Sequence, residues 1–442
     1  MTNPYPENRQ SELLAEQLLD CAAKAGASDA EVYQSTSLSR PVFFEANRLK
    51  QLEIAESQGT ALRLWRDGCP GLAVAYGQVE PEALVEKAMG LSRLNPPETP
   101  ELNESQTHSF PDLGEEVAAE ELVKMGRGAI AHLREMYPDV ICSAELECER
   151  ETTTLINSRG LYCQYTDITL DGFLGVEWVR GEDFLGIYES QEVRGELSLV
   201  PLVQSILTRL NWARHNTPSP TGRVPILLTN KAAALLWDTV CEATNGKRIL
   251  EGSSPWVERR GECVISDRLT LAQDPNRGPY SCPFDDEGTL TQPIVAIDRG
   301  RFQQFYCDRA TGRALNAPST GNGFRPSLGR YPTPELVNIA IEPGNGSLEN
   351  LIQHLDEGLV VDQMLGGGAD ISGEFSVNVD LGYRVSNGQI VGRVKDTMIA
   401  GNVYAALKQV VALGGDAIWN SACYTPSIIV EGVSVVGGNK TF

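Results

Sequence analysis

Turn signals set between short apolar runs constrain this chain more than any other feature. Asp67-Gly68, the NSRG stretch at 157–160, Asp298-Arg299-Gly300 and Asn387-Gly388 each separate runs with β character. Asp, Asn and Gly tolerate the positive φ that tight hairpins require, so each site predicts a pair of antiparallel strands. Helical spacing is interleaved with these strands. Leu14, Leu18, Leu19 and Ala22 recur on one helical face, with Ser11 as cap and Gly26 as stop. Further helices are expected from Pro81, over Glu115–Met136, over Leu199–Arg214, after an Asn230 cap, from Ser347 to Gly358, and over Ile399–Leu413. Strands and helices that intermix in this way define an α+β fold, with a mixed αβ N-terminal region and a β-rich C-terminal domain.

Composition shifts divide the chain further. Residues 95–113, rich in Pro, Glu, Ser and Thr, and residues 215–222, HNTPSPTG, read as linkers. They separate an N-terminal α+β domain at 1–94, a central α+β domain at 114–214 and the β-rich domain at 223–442.

Charge narrows the partners. The 442 residues hold 37 Lys and Arg against 59 Asp and Glu, a net charge of −22. No basic run exceeds a pair such as Arg259–Arg260, so a phosphate-tracking surface and nucleic-acid binding are not expected. No window approaches the ~18 consecutive apolar residues of a membrane span. The first twenty residues lack the basic start and apolar stretch of a secretory signal, and the ten cysteines form no CxxC pair. Reduced thiols, no disulfide framework and a cytoplasmic location are the expectation.

Local chemistry is sparse. His108, His132, His215 and His354 stand far apart, without the paired spacing of zinc ligands. Cys241, Cys282, Cys307 and Cys423 have no histidine near in sequence to activate them, so inert thiols are expected. No G-x-S-x-G elbow is present. The Gly-rich stretches PGNGS and LGGGAD lack the Lys-Ser/Thr of a phosphate loop and read first as turns. The sharper reading is close approach of a bound chain to Gly366, Gly367 and Gly368. FDDEG at 284–288 reads as a solvated acidic turn.

The blocks GTALRLWRDGCPGLAVAYG, FDDEGTLTQPIVAIDRGRFQQFYCDRATGRAL, STGNGFRPS, GLVVDQMLGGGADISGEFSV and GQIVGRVKDTMIAGNVYAAL occur in an order that resembles the TldD/PmbA family, historically labelled modulators of DNA gyrase. The resemblance runs from about residue 11 to 440. It implies cytosolic metallopeptidase complexes of two paralogous subunits, TldD and PmbA (or TldE). In TldD-type subunits a helix carries His-Glu-x-x-x-His and a later cysteine completes the zinc site. Three ligands leave an open position for water, and the glutamate takes its proton.

Laid on LLWDTVCE, that motif puts Trp237 and Glu242 in the histidine positions and Asp238 in the glutamate position. Cys423, only three residues before Pro426, does not match the ligand cysteine's segment. The resemblance therefore implies a PmbA/TldE-like chain with no catalytic residues and no metal of its own. It would pair with a zinc-bearing TldD-like paralogue and help enclose a peptide, with Gly366–Gly368 as a candidate wall. The alternatives are a metal-free homodimeric peptide-binding or regulatory protein, and an autonomous peptidase using Cys241.

Overall fold

A computed structural model describes residues 6–437. Its largest sheet is built on two long strands, Ile141–Asn157 and Leu161–Arg180, paired antiparallel from Ile141↔Glu177 to Ile156↔Tyr162. The other edge of Ile141–Asn157 pairs with Asp29–Ser39 and Val42–Glu45. The 95–113 connection is thus bridged by a continuous sheet, and its own Gln106–Ser109 adds a parallel strand beside Leu161–Gln164.

Strand alternation gives this sheet two unlike faces. Cys142, Ala144, Leu146 and Cys148 are buried beneath the helices Ala119–Met136 and Val200–Trp212. Val32, Leu62 and Leu64 lie in a second core with residues of the helices Pro6–Lys24 and Pro81–Ser92. The opposite face carries Glu145, Glu147, Glu149 and Glu151, with Asp171 placed between Glu147 and Glu192 on the adjoining strands. Burial and these neighbouring carboxylates push the Asp171 carboxyl up to about 7.

The C-terminal part packs a nine-stranded sheet and a six-stranded sheet around one core. The nine-stranded sheet is antiparallel except where Ile226–Leu228 runs parallel to Glu357–Leu365. Between the sheets lies the helix Ala234–Thr244, with Leu235, Leu236, Trp237, Val240 and Ala243 buried. Its end is tied by close approach: a Cβ on Gly246 would lie 2.7 Å from the Tyr306 carbonyl oxygen, which the Gly246 N–H contacts at 2.8 Å.

A buried charge network joins the central region to the C-terminal sheet. Asp362 accepts from Arg209 Nη2 at 3.2 Å and pairs with Lys231 Nζ at 3.3 Å, and Lys231 reaches Glu189 at 3.1 Å. The neighbouring Gln363 accepts from the Tyr188 N–H at 3.1 Å, which occupies the otherwise open edge of the strand Asp183–Val193.

The α+β class holds, and the hairpin turns fall where their residues predict. Asp67 and Gly68, Arg299 and Gly300, and Asn387 and Gly388 all have positive φ. Several boundaries differ. The first helix begins at Pro6 rather than after Ser11, whose side chain lies outside the described residues. Asn230 bonds the Asp416 carbonyl instead of capping, and Ala233 is the N-cap. Ser347 caps as expected, sharing a capping box with Asn350, but the helix ends at Gln353 and Gly358 sits inside a strand. The expected helix over 399–413 is strand, short helix and strand, at Thr397–Asn402, Val403–Lys408 and Val410–Leu413. Asn402 caps the middle piece, and sheet pairing claims the β-branched residues on both sides.

FDDEG is not a solvated turn. Asp285 and Glu287 are buried, and Asp285 accepts N–H bonds from Glu287, Thr289 and Gly323 at 2.8–3.0 Å. Phe284 packs with Leu155, Leu161 and Cys163 of the first sheet, so this acidic loop docks the two halves together. Three backbone donors make burial of a carboxylate tolerable where sequence alone suggests exposure.

Candidate functional site

A cavity of about 770 Å³ opens beside the helix Ala234–Thr244. Ala234, Asp238, Cys241, Glu242 and Asn245 recur at helical spacing and face it, while Tyr306, Glu335, Asn338 and Cys423 line its other walls. The two neighbours Trp237 and Asp238 divide between core and cavity because they lie about 100° apart around the axis.

Trp237 is fully buried, and its indole Nε1–H donates to Thr425 Oγ1 at 2.7 Å. Thr425 lies on Cys423–Thr425, so the indole fastens the helix to the six-stranded sheet. The opposite end is fastened by Tyr306 Oη, which donates to the Cys241 carbonyl at 3.2 Å, and by Asn245 Nδ2, which donates to the Pro334 carbonyl at 3.0 Å.

The cavity's charges are mostly acidic. Glu242 accepts from Arg248 Nε at 2.7 Å, and Arg248 also reaches Glu251 at 3.5 Å. Asp238 and Glu335 have their carboxyls raised above the usual range, Asp238 by desolvation and Glu335 by desolvation and then Glu242. Burial raises the Cys241 thiol well above its ordinary value, with Cys423, Asp238 and Glu242 adding to the effect. Cys423 is raised by burial and then by Asp238. Both thiols therefore stay protonated near neutral pH, the reverse of an activated nucleophile. No histidine lines this cavity.

The helix thus brings Asp238, Cys241, Glu242 and Cys423 to one cavity and withholds Trp237 from it. These residues do not fit a zinc ion. The indole has no lone pair to give and is already bonded to Thr425, and Glu242 is engaged by Arg248. Among the described residues no group of three or more His, Cys, Asp or Glu is placed to hold a metal.

The remaining sequence candidates lie apart. Gly366, Gly367 and Gly368 form an exposed turn after Glu357–Leu365, outside the cavity's lining and with open space where a Cβ would stand. His108, His132, His215 and His354 are exposed or half-buried on separate elements. Cys282 and Cys307 are buried elsewhere. Sequence reasoning missed Glu335, Tyr306 and Thr425, because each reaches the helix from more than 60 residues away and no local pattern marks it.

Comparison with known proteins adds to this geometry. The model described as PmbA/TldA metallopeptidase C-terminal domain matches residues 221–437, and that described as PmbA/TldA metallopeptidase domain 1 matches residues 30–92. A metalloprotease TldD homolog of Buchnera aphidicola is 30% identical over 213 residues, covering 47% of this chain and 43% of the homolog. The chain thus spans less than half the length of this relative. A metalloprotease of Methanothermobacter thermautotrophicus is 23% identical over 412 residues, covering 88% of both chains. TldE from Thermococcus kodakarensis has the same fold, with a TM-score of 0.88 and 24% identity over 96% of this chain and 100% of that one.

The two family matches place the molecule in a metallopeptidase-like class, and its fold is α+β. More narrowly, the chain belongs to the TldD/PmbA family.

Proposed function

We propose that this chain is a PmbA/TldE-like subunit that carries no zinc and works beside a zinc-bearing TldD-like paralogue in processing unfolded peptides. Its cavity forms part of the peptide-binding enclosure, and the partner supplies the metal-activated water. The observation that carries the reading is Trp237: the residue in the first ligand position is a buried structural anchor bonded to Thr425. A cytosolic setting suits its ten free cysteines.

The cavity's chemistry accords with peptide contact. Its walls mix residues 420–423 with Asn245, Asn338 and the desolvated acids Asp238 and Glu335. The adjoining strand Ile418–Asn420 is the last in its sheet, so its outer edge has no strand partner among the described residues. An extended peptide can be held by main-chain hydrogen bonds at such an edge while its side chains vary.

The reading is tested by assaying unfolded peptide substrates with this chain alone, with a His-Glu-x-x-x-His paralogue alone, and with both. Cleavage by the mixture only is expected, and it should persist when Cys241 is changed to Ala. Cleavage by this chain alone that is lost in Cys241→Ala overturns the reading in favour of a thiol peptidase.

A further inference from the structure

Three arginines of this acidic chain stand unpaired around one pocket. A cavity of about 560 Å³ lies between the helix Ala119–Met136 and the hairpin formed by Val42–Glu45 and Arg48–Leu52. Arg48, Arg127 and Arg134 line it, and Glu135 is the one acid among its lining residues. None of the three guanidinium groups forms a hydrogen bond, ion pair or ring contact with another described residue. Elsewhere Arg63, Arg209 and Arg325 each lie within 3.2 Å of a carboxylate. In a chain with 59 acids against 37 bases, a shortage of acids does not explain three unpaired cations in one place.

The frame that holds them follows from the sequence. Arg127 and Arg134 are seven positions apart in the helix (134 minus 127), close to two turns, so they share one side roughly 10 Å apart along the axis. Gly126 lets that helix lie on the hairpin, since a Cβ there would sit 2.4 Å from the Phe44 ring. The hairpin reverses at Ala46 and Asn47, both with positive φ. Asn47 Oδ1 accepts the Cys142 N–H at 2.8 Å, and the Asn47 N–H donates to the Cys142 carbonyl at 2.9 Å. These two bonds pin the turn to the long strand and keep Arg48 beside the helix. Phe44, Leu49 and Ile130 add apolar surface to the lining.

Like charges gathered around a confined space repel, and an anion among them removes that cost. A guanidinium is a rigid, permanently charged fork that matches the paired oxygens of a phosphate. Three such forks suit more than one anionic group, and the volume is that of a small organic molecule rather than a single ion. We infer that this pocket binds a small molecule bearing a diphosphate group, held by Arg48, Arg127 and Arg134. Two sources share that chemistry, free pyrophosphate and a nucleoside diphosphate. The pocket has no lining residue in common with the Asp238–Glu242 cavity, so the inference stands whether or not that cavity takes peptide.

The test is isothermal titration calorimetry of the purified full-length chain at low ionic strength, with pyrophosphate and with adenosine diphosphate. One site with a micromolar dissociation constant is expected for at least one of them, weakening as salt rises. Tighter binding of adenosine diphosphate assigns the apolar lining to the nucleoside, and equal affinities assign the site to the diphosphate alone. Arg127→Ala and Arg134→Ala should each weaken binding by roughly tenfold or more. Arg223→Ala, an equal charge change on an exposed residue outside the pocket, should alter it by less than about twofold. Arg127→Lys keeps the charge and loses the fork, so its loss should fall between these two. The three arginines are exposed, and melting of the free chain should not change. No binding of either probe at about 1 mM overturns the inference. So does affinity that survives in the folded Arg48→Ala/Arg127→Ala/Arg134→Ala variant, or citrate bound more tightly than both probes. Should the triple variant misfold, the single variants decide: unchanged affinity in Arg127→Ala and Arg134→Ala contradicts the site.

Discussion

Asp362→Ala is expected to lower the unfolding free energy by about 3–5 kcal/mol, because it strands two cations in a low-dielectric junction. Asp362 is buried between Arg209 and Lys231, and Glu189 alone would remain to balance them. Burial by itself would raise this carboxyl, yet Arg209 and Lys231 overcome that effect and hold it down to about 2. The folded value therefore lies below the ordinary ~3.9 of an unfolded aspartate. The sign follows: the ionised form contributes stability above about pH 4, and that contribution is lost as pH falls toward 2. Urea unfolding at pH 7 and at pH 3 checks both parts, with the gap between wild type and Asp362→Ala narrowing in acid. A difference at pH 7 within about 0.5 kcal/mol, the range of ordinary surface changes, contradicts the role of the network.

Trp237→Ala is the second large effect, expected to cost about 3–5 kcal/mol by emptying a fully packed indole site. Its surroundings come from both C-terminal sheets, so the hole cannot close by moving one element. Trp237→Phe separates packing from polarity: it keeps most of the ring volume and loses the bond to Thr425, for a cost of about 1 kcal/mol. Denaturant midpoints of the two variants give the comparison. If Trp237→Ala is as mild as Trp237→Phe, the residue does not anchor the helix, and the argument from its burial fails.

Much of the fold was legible where chemistry is local. Asp67-Gly68 and Asn387-Gly388 announce their hairpins because few residues accept positive φ, and Ser347 announces its helix because the cap bonds lie within three residues. The segment 399–413 was misread because its strands are fixed by partners at 374–379 and 428–437, which no window of that length contains. FDDEG was misread for a related reason, since its compensating donors include Gly323 and its apolar neighbour Phe284 packs on strands from the other half.

The candidate site divides the same way. Trp237, Asp238 and Glu242 could be singled out from the order of motifs, and helical geometry then sends the first into the core and the other two into a cavity. What sequence could not supply is the far wall. Glu335 and Tyr306 arrive through loops without regular periodicity, and only the fold brings Cys423, already noticed in the sequence, to the same cavity. Gly366–Gly368, singled out for close approach of a bound chain, form an exposed turn outside the cavity's lining.

Trp237 fastens the helix at 234–244 through Thr425, and the proposed function assigns this helix no catalytic ion. Equilibrium dialysis of pure, untagged chain against zinc, followed by elemental analysis, tests it most directly. Metal far below one ion per chain is expected, unchanged by Cys241→Ala or Glu242→Ala. One tightly held zinc per chain, lost in those same variants, would contradict it.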